Sequence, residues 1–584
     1  MRAVTLLVAL LVAGLAQWLI WALPNRPYIL AEPPGGKLQS VSFAPFRDGQ
    51  SPLTRVYPSA AQIEEDIRVL ANQVAGIRTY TSREGLEVVP AIAGKYGLTV
   101  TMGAWLGVKT ALNDQEVASL IDLANRYPTV ITRVIVGNEV LLRRDLSVDQ
   151  LRAYIRKVKA AVKQPVSYAD VWEWWLKYPE IAQDVDFITI HMLPYWEDIP
   201  TGVADVGPHI LQVYHQIQTA FPGKPIMIGE AGWPTAGRSR GPAVPGMVNK
   251  ARFINSFVTL AAQQGFDYNI IESFDQPWKH ALEGTVGANW GLYTLDRTPK
   301  STLGGAIVED PAWQRHAGIS VLIGLALFAG FALTSPLSAP GVVTLAFAAQ
   351  GIAGCLVGAA LSGWAESYTS AAAFGQAILW GLELLTGLAV LRTLSIILSR
   401  PPVAAATGGL RTLVTILSGL KRRRDRLSVT ALGEGAMIGL VAYAVVAGVH
   451  IVLRGRYQDF PVPDYLIPAG GVLLVGLCRA LTGTGGLTFD RLLSNGRQVP
   501  VSGGALSWRH TLCRVPVEAV LTVILLFTTV GTVISEGVAN REALIWASLN
   551  LSLATPFLAT VWRVRRGGRT EAVATPPGVR EATL

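Results

Sequence analysis

Apolar residues are spread unevenly along this chain, and their distribution limits what the chain can fold into. From Ile319 onward, apolar runs of about 20 residues recur, each long enough to cross a bilayer. Residues 37–314 are instead mixed in polarity. With half of its 584 residues apolar, the chain is too hydrophobic for a purely soluble protein. The sequence therefore predicts a large soluble domain joined to a C-terminal, all-α, multi-helix transmembrane domain.

The N-terminal apolar run, Val4 to Leu23, follows Arg2 and lacks a small-x-small cleavage pattern before Pro24. We expect residues 1–23 to be an uncleaved transmembrane signal anchor rather than a cleaved signal peptide. The predicted order is then a linker at 24–36, a soluble domain at 37–314, a membrane domain of about seven helices at 315–565, and a tail at 566–584. The predicted later spans lie near 317–334, 339–362, 372–398, 429–453, 464–481, 515–535 and 542–562.

Basic residues indicate the orientation of these spans, because positive charge accumulates in cytoplasmic loops. With strict alternation, three basic segments fall on the same side as Arg2, and the soluble domain falls on the other side. The net charge of +9 is explained by this topology, so no nucleic-acid partner is expected. We expect a multi-pass protein of the inner membrane with a cytoplasmic tail and a periplasmic, extracytoplasmic soluble domain. The basic segments are Arg400, Arg411 and Lys421 to Arg426; Arg491, Arg497 and Arg509; and Arg563, Arg565 and Arg566.

Four glutamates, Glu366, Glu383, Glu434 and Glu518, lie in or near apolar spans. A carboxylate there is costly unless it faces protein or water. The sequence assigns none of them a role. A polar loop at 454–463 on the outer side either contacts a glycan or partner, or anchors the chain at the interface.

Within residues 37–314, eight short strand-like runs alternate with helix-like segments. This alternation and a length of about 270 residues predict an α/β fold, a closed (β/α)8 TIM barrel. The runs are Val41 to Phe46, Val74 to Tyr80, Thr99 to Trp105, Ile131 to Glu139, Pro165 to Val171, Phe187 to His191, Pro225 to Glu230 and Tyr268 to Phe274.

Runs four and seven both end in a glutamate, Glu139 after Asn138 and Glu230 after Gly229. Reacting groups of such barrels project from the carboxyl ends of strands, and strand tips four and seven face each other across the mouth. Two carboxylates about 5–5.5 Å apart can cleave a glycosidic bond with retention. We assign Glu139 as the catalytic acid/base and Glu230 as the nucleophile, with Asn138 on a sugar 2-hydroxyl. Burial and neighbouring charge are expected to raise the pKa of one carboxyl and keep the other ionised.

Two segments resemble the acid/base and nucleophile motifs of glycoside hydrolase family 17: Val136 to Val140 and Gly229 to Pro234. In plant members the eighth-strand motif usually has a glutamate where this chain has Gln276, which puts an auxiliary carboxylate there in doubt, although Lys279 and Glu283 remain. The likeness runs from Phe43 to Tyr293 and includes Gly76 to Tyr80, His191 to Tyr195, Phe274 to Lys279 with Glu283, and Trp290 to Tyr293.

The resemblance and the strand ends together give a set of candidate substrate-binding residues. Aromatic rings near strand ends suit the apolar faces of sugars, with core packing as the alternative for each ring. Tyr195 is expected to hydrogen-bond the nucleophile and Arg78 to orient it. No cofactor or metal is expected, because two carboxylates suffice for this chemistry. The candidates are Asn138, Tyr80, Arg78, His191, Tyr195, Trp233, Asp275, Trp278, Lys279, Glu283 and Trp290, and further rings near strand ends are Trp105, Trp172 and Trp196.

The membrane domain makes the chain similar to a bacterial, membrane-anchored subgroup described as β-(1,3)-glucan transglycosylases and β-(1,6)-glucan synthases. This resemblance implies cleavage of β-(1,3)-glucan through a covalent glucosyl–enzyme, followed by transfer to another glucan. Partners would be a β-glucan oligo- or polysaccharide, membrane lipid, and a glucan synthase or export protein.

Three other functions stay open. An endo-β-1,3-glucanase would hydrolyse the same bond, and a non-catalytic glycan sensor or transporter would use the barrel as a receptor. A nucleotide-sugar synthase needs a metal site such as Asp-x-Asp, but Asp184 and Asp186 precede a strand without a phosphate loop.

Overall fold

The computed structural model describes residues 2–32, 34–300, 304–399, 429–482 and 506–566. The chain divides into two compact units, residues 27–309 and residues 1–26 together with 310–584. The first helix, α1 (Arg2–Ala22), belongs to the second of these units.

Residues 27–309 contain a closed barrel of eight parallel strands, each hydrogen-bonded to the next in chain order. The eighth strand pairs with the first through Ile270 and Val41 and closes the sheet. The predicted (β/α)8 fold is confirmed, and all eight carboxyl ends meet at one end of the barrel. The strands are β1 (Leu38–Ser42), β2 (Val74–Arg78), β3 (Thr99–Ala104), β4 (Ile131–Asn138), β5 (Val166–Val171), β6 (Ile188–Met192), β7 (Ile226–Ala231) and β8 (Asp267–Ile270).

Amphipathic helices follow the strands and cover the barrel. In α5, Leu151, Ile155 and Val158 are buried, which is the spacing of one helix face. The same helix begins with a capping box between Ser147 and Gln150, so local sequence fixes its start. The helices of this unit are α2 (Ala60–Leu70), α3 (Val89–Lys95), α4 (Thr110–Arg126), α5 (Val148–Lys159), α6 (Trp172–Lys177), α7 (Val206–Ala220), α8 (Met247–Gln264) and α9 (His280–Ala288).

The segment expected to be a linker contains a short strand. Tyr28–Leu30 pairs antiparallel with Gly305–Ile307. The two strands lie far apart in sequence, so no local sequence pattern predicts their pairing.

The second unit is helical. Among the described residues, eight helices are long and apolar enough to cross a membrane. The predicted C-terminal helical region is confirmed, and several of its helices are long and apolar enough to span a membrane. Most of the basic residues used to orient them, at 400–426, 491 and 497, lie outside the described residues. Besides α1, the helices are α10 (Trp313–Ala332), α11 (Ala339–Ala365), α12 (Ser370–Ile397), α13 (Val429–Arg454), α14 (Val462–Thr482), the short α15 (Trp508–Arg514), α16 (Pro516–Glu536) and α17 (Arg541–Arg565).

Candidate active site

Glu139 and Glu230 lie at the same end of the barrel. Glu139 directly follows β4 and adopts a left-handed backbone conformation with φ of 51°, which turns the chain out of the strand. Its N–H donates to the Ala169 carbonyl of β5 at 2.8 Å, so the neighbouring strand holds this turn. Glu230 lies near the end of β7, where it is paired in register with His191 of β6.

His191 stands between the two carboxylates. Its Nδ1 is 2.8 Å from Glu139 Oε1, and its Nε2 is 3.4 Å from Glu230 Oε1. One side-chain atom from each of the three residues lies within 4.8 Å of the others. The structure therefore brings Glu139, His191 and Glu230 together, with the imidazole as a bridge that the sequence did not specify.

Arg78, fully buried at the end of β2, connects the residues around Glu230. Its Nη1 donates to the Gly229 carbonyl at 2.6 Å and lies 3.5 Å from Glu230 Oε1. Its Nη2 donates to Asn138 Oδ1 at 2.7 Å. One guanidinium thus fixes the amide beside the expected acid/base and places a permanent positive charge next to the expected nucleophile.

Tyr80 makes the hydrogen bond to Glu230 that was expected from Tyr195. Its hydroxyl donates to Glu230 Oε1 at 2.8 Å and contacts Ser42 Oγ at 2.8 Å. Asn269 Nδ2 donates to Ser42 Oγ at 2.8 Å. Because the Tyr80 proton is committed to Glu230, the Ser42 hydroxyl donates to the tyrosine oxygen. Burial and the charge of Glu230 raise the pKa of Tyr80 well above its ordinary value, which keeps the hydroxyl protonated as a donor.

His191 contacts Glu139 through Nδ1, and because a carboxylate only accepts, Nδ1–H is the donor. Its Nε2 lies 3.4 and 3.5 Å from the two terminal nitrogens of Arg78 and 3.4 Å from Glu230 Oε1. Burial raises the pKa of Glu139, but the hydrogen bond and charge of His191, with the charges of Arg143 and Arg78, outweigh it and lower that pKa below its ordinary value. The rise in pKa that was expected for the acid/base is therefore not found.

A buried charged cluster follows β8, and the sequence prediction missed its central member. Glu272 has no exposed surface, and both of its carboxylate oxygens lie 2.8 Å from Lys279 Nζ. Burial raises the pKa of Glu272 to about 7, against the lowering effect of Lys279. Burial also raises the pKa of Glu283, which lies near Lys279. Gln276 is neutral here: its amide donates to the Ala44 carbonyl at 2.6 Å.

Asp170 was also missed. It is a buried carboxyl near the end of β5 that accepts the Tyr168 hydroxyl. Tyr168 in turn accepts from the Leu141 N–H at 3.1 Å, so this pair supports the turn that carries Glu139. Burial raises the pKa of Asp170 to about 7, and the charge of Glu139 adds to the rise.

Several side chains that were predicted to bind substrate lie in the core. Tyr195 and Trp233 are 0% exposed and Trp290 is 2% exposed, so none offers a ring face to a sugar. The Tyr195 hydroxyl donates to the Arg238 carbonyl at 2.6 Å and cannot also donate to Glu230. Asp275 is buried and holds Lys300 at 2.6 Å. These residues pack and brace the barrel.

Other rings near strand ends remain accessible. Trp105, after β3, is 43% exposed, and the Arg143 guanidinium lies 4.2 Å from its ring centre. Trp278 is partly exposed and donates to Gln276 Oε1 at 2.8 Å. Trp172 and Trp196 are also partly exposed.

Glu139, His191 and Glu230 could in principle offer three ligand atoms to a metal ion. The Arg78 guanidinium 3.5 Å from Glu230 already supplies positive charge there and would repel a second cation. The arrangement suits a pair of reacting carboxylates better than a metal centre.

The barrel sequence is similar to those of known glucan-active proteins. Residues 40–291 match the BtgE/BtgC glycoside hydrolase domain. A glucan 1,3-beta-glucosidase of Schizosaccharomyces pombe is 30% identical over 254 residues, covering 39% of this chain and 78% of that protein. A glucan 1,3-beta-glucosidase of Candida albicans is 26% identical over 263 residues, covering 41% and 85%. Among solved structures, a glycoside hydrolase family 17 β-1,3-glucanosyltransferase from Rhizomucor miehei is 25% identical, covers 46% of this chain and 98% of that chain, and has a TM-score of 0.41.

Proposed function

Since this chain belongs to glycoside hydrolase family 17 and its barrel is a glycosidase or transglycosylase domain, we propose that it cleaves β-(1,3)-glucan with retention and transfers the glucosyl unit to another glucan. The transfer would elongate or branch the acceptor, with a β-(1,6) link as the branching product. The approach of the Glu139 and Glu230 carboxylates on either side of His191 carries this proposal.

The carboxylate spacing favours a covalent intermediate. Ligand atoms of Glu139 and Glu230 lie within 4.8 Å of one another, near the about 5–5.5 Å of retaining enzymes and below the about 6.5–9.5 Å that inverting enzymes need for a water. Glu230 would attack the anomeric carbon while Glu139 gives its proton to the leaving oxygen. In the second step Glu139 would take a proton from the acceptor hydroxyl, and that oxygen would displace Glu230 from the sugar.

The first step needs a proton on Glu139, whose pKa lies below its ordinary value. A bound glucan would exclude water from the site and replace it with sugar surface. Burial is the largest single influence on this carboxyl and acts to raise its pKa. We infer that substrate binding adds to burial and returns Glu139 toward the protonated form needed for the first step.

Transfer requires that an acceptor sugar compete with water for the intermediate. Arg143 connects Trp105 to the turn that carries the acid/base, because its guanidinium lies over the indole and donates to the carbonyls of Leu106 and Asn138. The exposed face of Trp105 therefore provides a stacking surface beside this turn. We propose that Trp105 binds the acceptor. Trp105→Ala should then shift products from transfer to hydrolysis, and Trp105→Phe should keep most of the transfer.

The central experiment incubates the full-length protein in detergent with a linear β-(1,3)-glucan oligomer. Longer or branched products indicate transfer, shorter products alone indicate an endo-glucanase, and linkage-resolving NMR identifies the new bond. An absence of any product would favour a glycan sensor or transporter and contradict the proposal.

Two isosteric variants test the catalytic roles. Glu230→Gln should abolish turnover, because the attacking charge is lost at nearly constant shape. Glu139→Gln should spare the first step for substrates with activated leaving groups, which need no proton. Glu64→Gln, on the outer helix α2, is the matched control and should keep normal rates. Normal turnover in Glu230→Gln would refute the assigned roles.

We also propose the topology that the charge pattern predicts: an inner-membrane, multi-pass chain with the barrel outside the cytoplasm, in contact with lipid and near a glucan synthase or export partner. Protease added to intact spheroplasts should degrade the barrel and spare an epitope placed in the C-terminal tail. Protection of the barrel with loss of the epitope would reverse the orientation.

A further inference from the structure

Two carboxyl groups meet inside the membrane half of the chain. Glu383 lies at the middle of α12 and is 0% exposed. Asp464 lies in the first turn of α14 and is 7% exposed. The two side chains are close enough for a hydrogen bond between them. This pair is remote in sequence from the barrel and is not used by the proposed reaction.

The Glu383 carboxyl lacks a donor. Neither of its oxygens has a hydrogen-bond partner among the described residues, although both are buried. Asp464 receives one hydrogen bond, from Gln376 Nε2 at 3.1 Å. Among the described residues no basic side chain forms an ion pair with either carboxyl. Two unpaired negative charges cannot be buried side by side in hydrocarbon surroundings without a compensating cation.

The backbone supplies a further oxygen. Pro468 lies inside α14, one helical turn after Asp464. A proline has no N–H, so it cannot donate to the Asp464 carbonyl, which would be its i−4 acceptor in a regular helix. Carbonyl oxygens freed at interrupted membrane helices commonly bind sodium ions or protons together with carboxylates. Asp464 therefore carries a carboxyl and a backbone carbonyl that lacks its regular helical donor.

Neutral groups surround the pair. Cys355 of α11 and Tyr465 of α14 lie near Glu383, and Tyr443 of α13 lies near Asp464. The Tyr465 hydroxyl is committed to the Leu440 carbonyl at 2.7 Å, so it does not donate to Glu383. No charge in this described shell offsets the two carboxyls.

We propose that Glu383 and Asp464 form a binding site for a small monovalent cation, a proton or a sodium ion, within the membrane domain. The cation is held between the two carboxyls. The site is independent of glucan cleavage, so its failure would leave the barrel's activity untouched.

The test uses the full-length protein in detergent with radioactive sodium in a scintillation proximity assay, and infrared spectra recorded over a pH series. If sodium is the ligand, Glu383→Gln and Asp464→Asn should each weaken sodium binding by at least about tenfold, which corresponds to about 1.4 kcal/mol. If a proton is the ligand, no sodium binds, and the infrared band of a protonated carboxyl disappears in Glu383→Gln.

Glu518→Gln is the matched control, because Glu518 is a membrane-half carboxyl that is only 3% exposed and faces no second acid among the residues that the structure describes. It should leave the sodium signal unchanged and should not remove the band assigned to Glu383. Asp464→Asn serves as the second variant if Glu383→Gln is not monodisperse. Absence of sodium binding together with an infrared spectrum unchanged in both pair variants would overturn the proposal.

Discussion

Tyr80→Phe tests how the proposed nucleophile is stabilised. The substitution removes one hydroxyl that donates to Glu230 Oε1 at 2.8 Å and keeps the ring that Arg78 covers at 4.8 Å. A hydrogen bond to a charged group contributes about 1.5–3 kcal/mol. The charge on Glu230 is consumed when the glucosyl–enzyme forms and reappears when it breaks down. The lost bond should therefore slow breakdown of the intermediate by about 10- to 150-fold, and slow its formation much less.

The assay is pre-steady-state release of an activated leaving group by the full-length protein. Tyr80→Phe should show a burst that approaches one equivalent of enzyme, with kcat and KM falling together. Tyr96→Phe is the matched control, because its hydroxyl contacts Glu64 at 3.4 Å before β3, at the opposite end of the barrel. Tyr96→Phe should behave as wild type. If Tyr80→Phe lowers kcat/KM as much as kcat and shows no burst, the hydroxyl acts in the first step and the reasoning is refuted.

Two further substitutions test the electrostatics of the barrel. His191→Phe removes the donor that lowers the pKa of Glu139 and leaves the burial that raises this pKa. The basic limb of the kcat/KM profile should therefore move to higher pH. Movement of this limb to lower pH would mean that His191 holds the proton. Arg297→Met removes one of two arginine partners of the fully buried Asp66 and leaves Arg47 at 3.1 Å, so the free energy of unfolding should fall by about 1.5–3 kcal/mol. Arg126→Met, which breaks an exposed pair, should cost less than about 1 kcal/mol in the same urea titration of the full-length protein, and equal losses would contradict the role of burial.

The fold was predictable because its signals are local. Alternating strand-like and helix-like runs specify a (β/α)8 barrel, and long apolar runs specify membrane helices whatever their order in space. Capping at Ser59 and Ser147 fixes two helix starts from three or four residues each. The pairing of Tyr28–Leu30 with Gly305–Ile307 was not predictable, since no residue pattern joins segments so far apart.

The site was predictable only in part, because strand ends locate side chains but do not say which way they point. The rule that a carboxylate closing an apolar run carries chemistry found Glu139 and Glu230. Extended to carboxyls near the end of a run, it would also have found Asp170 and Glu272, in runs five and eight. The rule for aromatics failed, because Tyr195 and Trp233 at strand ends turn into the core, where their polar atoms bond backbone carbonyls. Hydrogen-bonded ends of this kind allow rings to be fully buried.

This chain has Gln276 where plant members of the family usually have a glutamate. The balance of the nearby charges explains this difference better than the position in the motif does. The Lys279 side chain is only 15% exposed, and an ammonium so little exposed needs an anion in contact. Three carboxyls lie close to Lys279 in sequence. Asp275 is held by Lys300, and Glu283 acts on the Lys279 pKa only through its charge. Glu272 is therefore the partner, with both oxygens at 2.8 Å. A carboxylate missing from its usual place in the eighth-strand motif is supplied from the end of the strand itself, so the positive charge near Glu230 remains compensated.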